Sequence, residues 1–406
     1  MKILHTSDWH LGKSLEGHSR LEEQERFLEE LNQIVEEKEV DLILIAGDIY
    51  DTSNPPAQAE RLFYNSVKKL SQNGERPIII VAGNHDNPER LAAASPLAYD
   101  HGVLILGKPK SRAEIGKYGF FEIVDSGDGF LELDIKGERA VILTLPYPSE
   151  QRLNEIVSHE IEDEARRKSY SERIGEIFAE VSQRYREDTI NLAISHLFVM
   201  GGEEVGSERP IQLGGSLTVD ANHLPQNAHY VALGHLHKPQ KVVGSGNLKA
   251  YYSGSPIEYS KKEIHYSKCV YLVEANVGQE TKVEEIYLKN YKPIEVWKCK
   301  SIEEALIRCQ EDGQRDIWVY LEIETDRVMT QSEIKEMKRS RPHIVEIKPI
   351  FKEMEREEEE IEDISTMRIE DLFKDYYIHR NGVHPTEALM DLFSEILQED
   401  GEKSEA

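Results

Sequence analysis

Cysteine is scarce in this chain. Three residues among 406, Cys269, Cys299 and Cys309, show no CxxC spacing. That speaks against a disulfide framework and reads as reduced thiols in a cytoplasmic protein. Long apolar runs are missing too: no stretch reaches the roughly 18 residues a spanning helix needs, so no membrane segment is expected. The opening Met1-Lys2-Ile3-Leu4-His5-Thr6 is too soon interrupted by polar residues to read as a secretory signal. Positive charge is in deficit. Lysine and arginine number 49 against 76 aspartates and glutamates, a formal net charge of −27. This argues against a generally sticky nucleic-acid surface. The deficit is uneven, since residues 351–406 hold 18 acidic and 6 basic side chains.

What is present is a regular alternation of short apolar runs and amphipathic stretches. Lys2–Thr6, Asp41–Ala46, Pro77–Ala82 and Val103–Leu106 read as buried strands. Between them, Phe27, Leu28, Leu31, Ile34 and Val35 mark one face of a helix over Leu21–Glu39. Prolines open helices over Ala57–Leu70 and Pro88–Tyr99. Strand and helix in turn imply an α/β sheet with parallel strands at its centre. Ile142–Thr144, Asn191–Ser195 and Tyr230–Leu233 read as further strands, separated by a long charged helix from about Glu150 to Arg186. Ala250–Tyr252, Cys269–Glu274 and Val283–Leu288 are expected to be antiparallel strands closing a second sheet. The first domain then spans residues 1–290.

Residues 291–350 read as a small α+β unit without a charged cluster. Residues 351–365, containing Glu357-Glu358-Glu359-Glu360, read as an acidic linker. Residues 366–400 carry two short amphipathic helices. Ile369, Leu372, Phe373 and Tyr376 repeat the spacing of Leu389, Leu392, Phe393 and Ile396, with Arg380-Asn381-Gly382 as the turn between.

Five polar clusters stand at the ends of expected strands: Asp8-Trp9-His10, Gly47-Asp48, Gly83-Asn84-His85-Asp86, Ser195-His196 and Gly234-His235-Leu236-His237. In an α/β sheet, ligands gather at the carboxyl ends of strands, so five such ends can converge. Asp8/His10 and His235/His237 sit two apart, a spacing that faces one side where a strand runs out. A lone His-x-His or Gly-Asp carries little weight. The five in order supply oxygen and nitrogen ligands for two adjacent metal ions with one histidine left over, as phosphodiester hydrolysis needs. Such mixed donors without thiolate suit manganese or another hard-to-borderline divalent metal. Gly12-Lys13-Ser14 mimics the end of a phosphate-binding loop. Ser7 occupies the place of its first glycine, so ATP binding is not expected.

The order of these clusters resembles the calcineurin-like metallophosphoesterases. Ser7-Asp8-Trp9-His10-Leu11-Gly12, Arg20-Leu21-Glu22-Glu23-Gln24, Gly47-Asp48-Ile49-Tyr50-Asp51-Thr52, Gly234-His235-Leu236-His237-Lys238-Pro239 and Tyr252-Ser253-Gly254-Ser255-Pro256 are similar to the SbcD family, nuclease subunits of bacterial SbcCD complexes. The similarity covers residues 1–290 and, more loosely, the tail. It implies a four-layer α-β-β-α sandwich with a small α+β cap domain and a C-terminal helical tail. It implies Asp8, His10, Asp48 and His237 around one ion and Asp48, Asn84, His196 and His235 around a second, with Asp48 bridging and manganese the usual metal. His85 would donate a proton to the leaving oxygen, with Asp86 accepting its other N–H. Archaeal and eukaryotic relatives carry a second histidine three residues after the bridging Asp. Here Asp51 stands there, as in bacterial members. An Asp with an ordinary pKa cannot replace that donor at neutral pH, so Asp51 is expected to fix His85 or a water.

The implied activity is that of a DNA exonuclease on duplex ends and an endonuclease on single strands or hairpins, acting in repair and recombination. Lys13, Arg20, Lys238, Lys241, Lys261 and Lys262 flank the clusters as candidate contacts to DNA phosphates. The tail helices cannot form a core alone and imply docking onto an SbcC-type coiled-coil ATPase. Self-association through Ala57–Leu70 and Pro88–Tyr99 is also implied, as a homodimer within a heterotetramer. A phosphodiesterase or phosphatase for a small molecule or phosphoprotein is the alternative enzyme; the extra unit and tail favour the nuclease. A non-catalytic scaffold is disfavoured because every ligand position is filled.

Overall fold

The computed structural model describes residues 1–154, 170–208, 217–312, 315–351, 368–381 and 384–404. The acidic linker therefore lies outside the described residues except for Phe351, as do residues 155–169 of the expected charged helix and Gly382 of the expected turn. The chain divides into two compact units, Met1–Tyr291 and Lys292–Ala406.

In the first unit, one six-stranded sheet has the order Lys282–Tyr287, Cys269–Glu274, Lys2–Thr6, Leu42–Ala46, Ile78–Val81, Val103–Leu106. Its last four strands are parallel. The eight-stranded sheet has the order Gln240–Lys241, Ala250–Tyr252, Tyr230–Gly234, Ile190–His196, Glu138–Leu145, Phe130–Ile135, Phe121–Gly127, Gly116–Tyr118. Four of these strands, from Ala250–Tyr252 to Glu138–Leu145, are parallel, and an antiparallel meander follows.

Strands covered on both faces are apolar on both, and Leu42–Ala46 and Ile78–Val81 are buried throughout. Ile3, Leu44 and Ile79 of the first sheet share one core with Ile142, Leu192 and Ala232 of the second. On the other face of the first sheet, Ile43 and Ile80 pack with Phe27, Leu31 and Phe63 of helices Leu21–Glu37 and Ala57–Leu70. Beyond the second sheet, Leu143 and Leu233 pack with Ile174 and Phe178 of helix Tyr170–Val181.

Three expectations change. The Cys269–Glu274 and Lys282–Tyr287 hairpin joins the first sheet, with Leu272 opposite Leu4, and Ala250–Tyr252 runs parallel to its neighbour Tyr230–Gly234. Val270 and Leu272 enter the helix-side core while Tyr271 and Val273 enter the core between the sheets, so this strand requires cover on both faces. The helix expected over Pro88–Tyr99 is two, Pro88–Ala92 and Ser95–Tyr99. Pro96 has no N–H for the carbonyl four residues back, and its ring crowds that turn. Of the long helix expected over 150–186, the described residues show Glu150–Asn154 and Tyr170–Val181, and its end tightens into a 3₁₀ turn at Ser182–Arg184; its continuity through residues 155–169 lies outside the described residues.

In the second unit, Ile294–Cys299, Trp318–Thr325 and Ile344–Phe351 form a parallel sheet. Helices Ile302–Glu311 and Gln331–Ser340 make the crossovers, the first capped by Ser301 and the second by a Thr330–Glu333 capping box. The expected α+β unit is thus a βαβαβ unit, because each connection is long enough for a helical crossover. The tail helices Ile369–Asn381 and Glu387–Ser404 stack Phe373 on Phe393, with ring centroids 3.9 Å apart. Ile369, Tyr376 and Leu392 stay exposed. No helix among the described residues is long and apolar enough to cross a membrane.

Candidate metal centre

All five clusters stand at the carboxyl ends of parallel strands. Asp8 and His10 follow Lys2–Thr6, Asp48 follows Leu42–Ala46, and Asn84 and His85 follow Ile78–Val81, all in the first sheet. His196 ends its strand and His235 and His237 follow theirs in the second. The two sheets meet closely here: His196 Nδ1 donates to the Ala46 carbonyl at 2.9 Å. Gly83 and Gly234 are required by that approach. A Cβ on Gly83 would overlap the Asp48 carboxylate, and one on Gly234 the Ala46 carbonyl.

Local strain aims the ligands. Asp8, His10, Asp48 and His235 have φ of 52°, 43°, 50° and 109°, a region costing on the order of 1–3 kcal/mol for each non-glycine residue. Hydrogen bonds hold it: Asp8 N–H to Gly47 O and His10 N–H to Asp48 O, both 3.0 Å, and His235 N–H to Asp8 Oδ1, also 3.0 Å.

Asp8, His10 and His237 offer ligand atoms within 4.8 Å of one another, as do Asp8, Asp48 and His196, and His10, Asp51 and His85. Asn84 Oδ1 completes the gathering, 2.8 Å from His196 Nε2 and 3.3 Å from His235 Nδ1. The chemistry of this set fits divalent cations. With its hydrogen on Nδ1, His196 points an Nε2 lone pair at the oxygen of Asn84. His10 Nε2 and His237 Nε2 face each other at 3.1 Å. His10 Nδ1 and His235 Nε2 are buried without a hydrogen-bond partner among the described residues. Burial, reinforced by the Asp48 charge, pushes the Asp8 carboxyl well above its usual range. Burial likewise holds His10, His196 and His235 below the ordinary imidazole value, keeping them neutral as ligands must be. Converging lone pairs and paired buried carboxylates are satisfied by cations.

The place expected for Asp86 against His85 is taken by Asp51, for which fixing His85 or a water is the expectation. Asp86 does not accept from His85; its oxygens take the amides of Ile49, Tyr50 and Gly83 at 3.1, 3.0 and 2.9 Å. His85 Nδ1 instead donates to the main-chain carbonyl of Asp51 at 2.6 Å, which leaves Nε2 3.9 Å from Asp48 Oδ2. The Asp51 side chain accepts from Lys13 Nζ at 2.7 Å and lies 3.6 Å from His10 Nδ1.

Arg20 cannot be a phosphate contact: it is buried, bonded to Glu23 at 2.6 Å and to the Glu258 carbonyl at 2.7 Å. Its motif props the site. Gln24 donates to the His10 carbonyl at 2.8 Å and to Tyr259 Oη at 2.9 Å, while Tyr259 Oη donates to the Trp9 carbonyl. Lys238 pairs with Glu203, and Lys262 donates to the Gly206 carbonyl at 3.3 Å.

The sequence pattern gives no warning of a polar group behind His237. Ser207 Oγ and Glu263 Oε1 lie 2.9 and 3.4 Å from its Nδ1. Burial, the largest single influence, would raise the Glu263 carboxyl, yet the Lys268 ammonium and the His237 ring together outweigh it and hold the group well below the usual carboxylate range.

Residues 1–239 match a family model described as calcineurin-like phosphoesterase. Residues 290–381 match one described as a type 5 capsule protein repressor C-terminal domain. The chain is 42% identical over 398 residues to the SbcD subunit of the nuclease SbcCD from Bacillus subtilis (strain 168), covering 98% of this chain and 97% of that protein. The SbcD subunit from Staphylococcus epidermidis is 32% identical over 297 residues, 73% of this chain and 72% of that one. The Rhodobacter capsulatus protein of the same name is 33% identical over 292 residues, 68% and 67% of the two chains.

Proposed function

The chain belongs to the calcineurin-like phosphoesterase family and, within it, to the SbcD nucleases, and from that membership we propose how its centre acts on DNA. It is a metal-dependent nuclease. Asp8, His10, Asp48 and His237 hold one ion; Asp48, Asn84, His196 and His235 hold the second. Bound there, two divalent cations, manganese first among them, supply Lewis-acid activation of water and of the phosphate. The observation that carries this reading is the convergence of imidazole lone pairs and carboxylates from five strand ends on one buried point.

His85 serves the leaving group. Its Nδ1 hydrogen is committed to the Asp51 carbonyl, so a proton taken up at Nε2 faces inward and passes to the departing sugar oxygen. Lys13, paired with the Asp51 carboxylate, contacts phosphate. The substrate is DNA, cut as duplex ends by exonuclease and as single strands or hairpins by endonuclease action.

The two sheets and their flanking helices are read as the four-layer α-β-β-α sandwich, and the parallel unit after residue 291 as its cap. The tail helices dock on a coiled-coil ATPase of the SbcC type, a role supported by the exposed Ile369, Tyr376 and Leu392. A homodimer within a heterotetramer, placed in the cytoplasm, completes the reading. The test is cleavage of end-labelled DNA with manganese against hydrolysis of a chromogenic diester. DNA cleavage lost in Asp8→Ala supports it. A chain that splits the diester but leaves every DNA form intact acts on another substrate. Truncation after Arg356 should keep diester hydrolysis and abolish ATPase capture; full-affinity capture by the truncated chain would remove the role given to the tail.

A further inference from the structure

Glu263 and Lys268 form an ion pair with only 0% and 7% of their side chains exposed. Desolvating two charges commonly costs as much as their attraction returns, so burial of such a pair is weak evidence for stability alone. Both partners converge on His237. Glu263 Oε1 lies 3.4 Å from its Nδ1, and Lys268 Nζ donates to its carbonyl at 3.1 Å. Ser255 Oγ links the pair, 2.8 Å from Lys268 Nζ and 3.1 Å from Glu263 Oε2.

A second carboxylate closes the other side. Glu208 accepts the amides of Val205, Gly206 and Ser207 at 3.1, 2.7 and 3.0 Å, together with the His237 amide at 3.1 Å. That sets Ser207 Oγ 2.9 Å from His237 Nδ1. Among the described residues the partners of Nδ1 are the Ser207 hydroxyl and the Glu263 carboxylate; the carboxylate can only accept, so the imidazole hydrogen belongs there, and Nε2 presents its lone pair toward Asp8 and His10. The Ser207 hydroxyl is the nearer partner of Nδ1, and among the described residues Glu263 is the one that brings a carboxylate to that nitrogen.

We propose that Glu263 is a positioning residue for His237: it fixes the Nδ1–H tautomer and ring orientation and makes Nε2 a stronger donor to a divalent cation, with Lys268 as its counter-ion and as the pin on the His237 backbone. A carboxylate behind an imidazole ligand commonly changes metal affinity about 10–100-fold. The inference rests on the reading of His237 as a metal ligand.

The test is titration of the metal-free full-length chain with Mn(II) alone, followed by calorimetry, with thermal unfolding in parallel. Glu263→Gln keeps the shape and removes the charge; Glu263→Gln/Lys268→Met also removes the lysine left without its partner. His237→Ala is the reference. The tight Mn(II) site is expected to weaken about 10–100-fold in Glu263→Gln and to stay weak in the double variant even as its thermal midpoint recovers. Affinity within about twofold of native in either variant, beside a weakened His237→Ala, overturns the positioning role and leaves Ser207 to orient the ring. Unchanged affinity in His237→Ala removes the ligand reading itself, and the inference with it.

Discussion

His85 donates its Nδ1 hydrogen to the main-chain carbonyl of Asp51 across 2.6 Å. The main chain, rather than a carboxylate, therefore sets the ring. Asp51→Asn keeps that carbonyl and loses only the side-chain charge, which faces Lys13 and His10. Its cleavage rate is expected within about tenfold of native, whereas His85→Ala loses about 10²–10⁴-fold, the usual span for a general acid. Manganese-dependent cleavage of labelled DNA measures both. Equal losses would make the Asp51 side chain a participant in proton transfer.

Asp86 is predicted to matter for folding more than for orienting His85. Asp86→Ala strands three amides, those of Ile49, Tyr50 and Gly83. Each buried group left without a partner costs about 1–3 kcal/mol. Urea unfolding should show a loss of at least ~2 kcal/mol. Native stability in that variant would contradict the assignment.

His5 predicts a pH dependence of stability. It is fully buried between the sheets, 2.9 Å from Tyr230 Oη and 3.2 Å from the Leu233 carbonyl. Burial lowers its pKa from 6.5 to about 3, only partly opposed by the Leu233 hydrogen bond. Between those values the unfolded chain takes up a proton that the folded chain refuses. Stability is complete above about 6.5 and falls as pH drops toward 3, by up to ~1.4 kcal/mol per pH unit. His5→Phe should flatten that limb. Denaturant midpoints from pH 4.5 to 7, both chains in chelator, provide the check, and parallel slopes would refute it.

Chelation is predicted to destabilise the first unit. A cation bound only by the folded state adds RT ln(1 + [L]/Kd), about 2.7 kcal/mol at a hundredfold excess over Kd. The thermal midpoint should rise with Mn(II) and fall with chelator in the native chain. The shift should nearly vanish in Asp48→Ala.

Much of the site is legible in the sequence because its ligands end apolar strands, and strands of an open α/β sheet deliver their carboxyl ends to one place. Asp8, Asp48, Asn84, His196 and His235 can be found in this way. The hidden parts are those whose partners have no side-chain identity or lie far along the chain. The carbonyl that orients His85 belongs to the main chain of Asp51, so neighbouring Asp86 is the natural expectation from residue types alone. Glu263 and Lys268 reach His237 from a loop about 30 residues on and carry no local motif. The sheet joined by Cys269–Glu274 depends on which strand lacks a neighbour, and periodicity does not report that.

The central claim is a paired divalent centre bridged by Asp48. Equilibrium dialysis of the native chain against Mn(II), with metal counted per chain, tests it most directly. Two ions are predicted in the native protein, with a drop to one or none in Asp48→Ala. A native chain that holds no more than one ion, or an Asp48→Ala chain that still holds both, would contradict it.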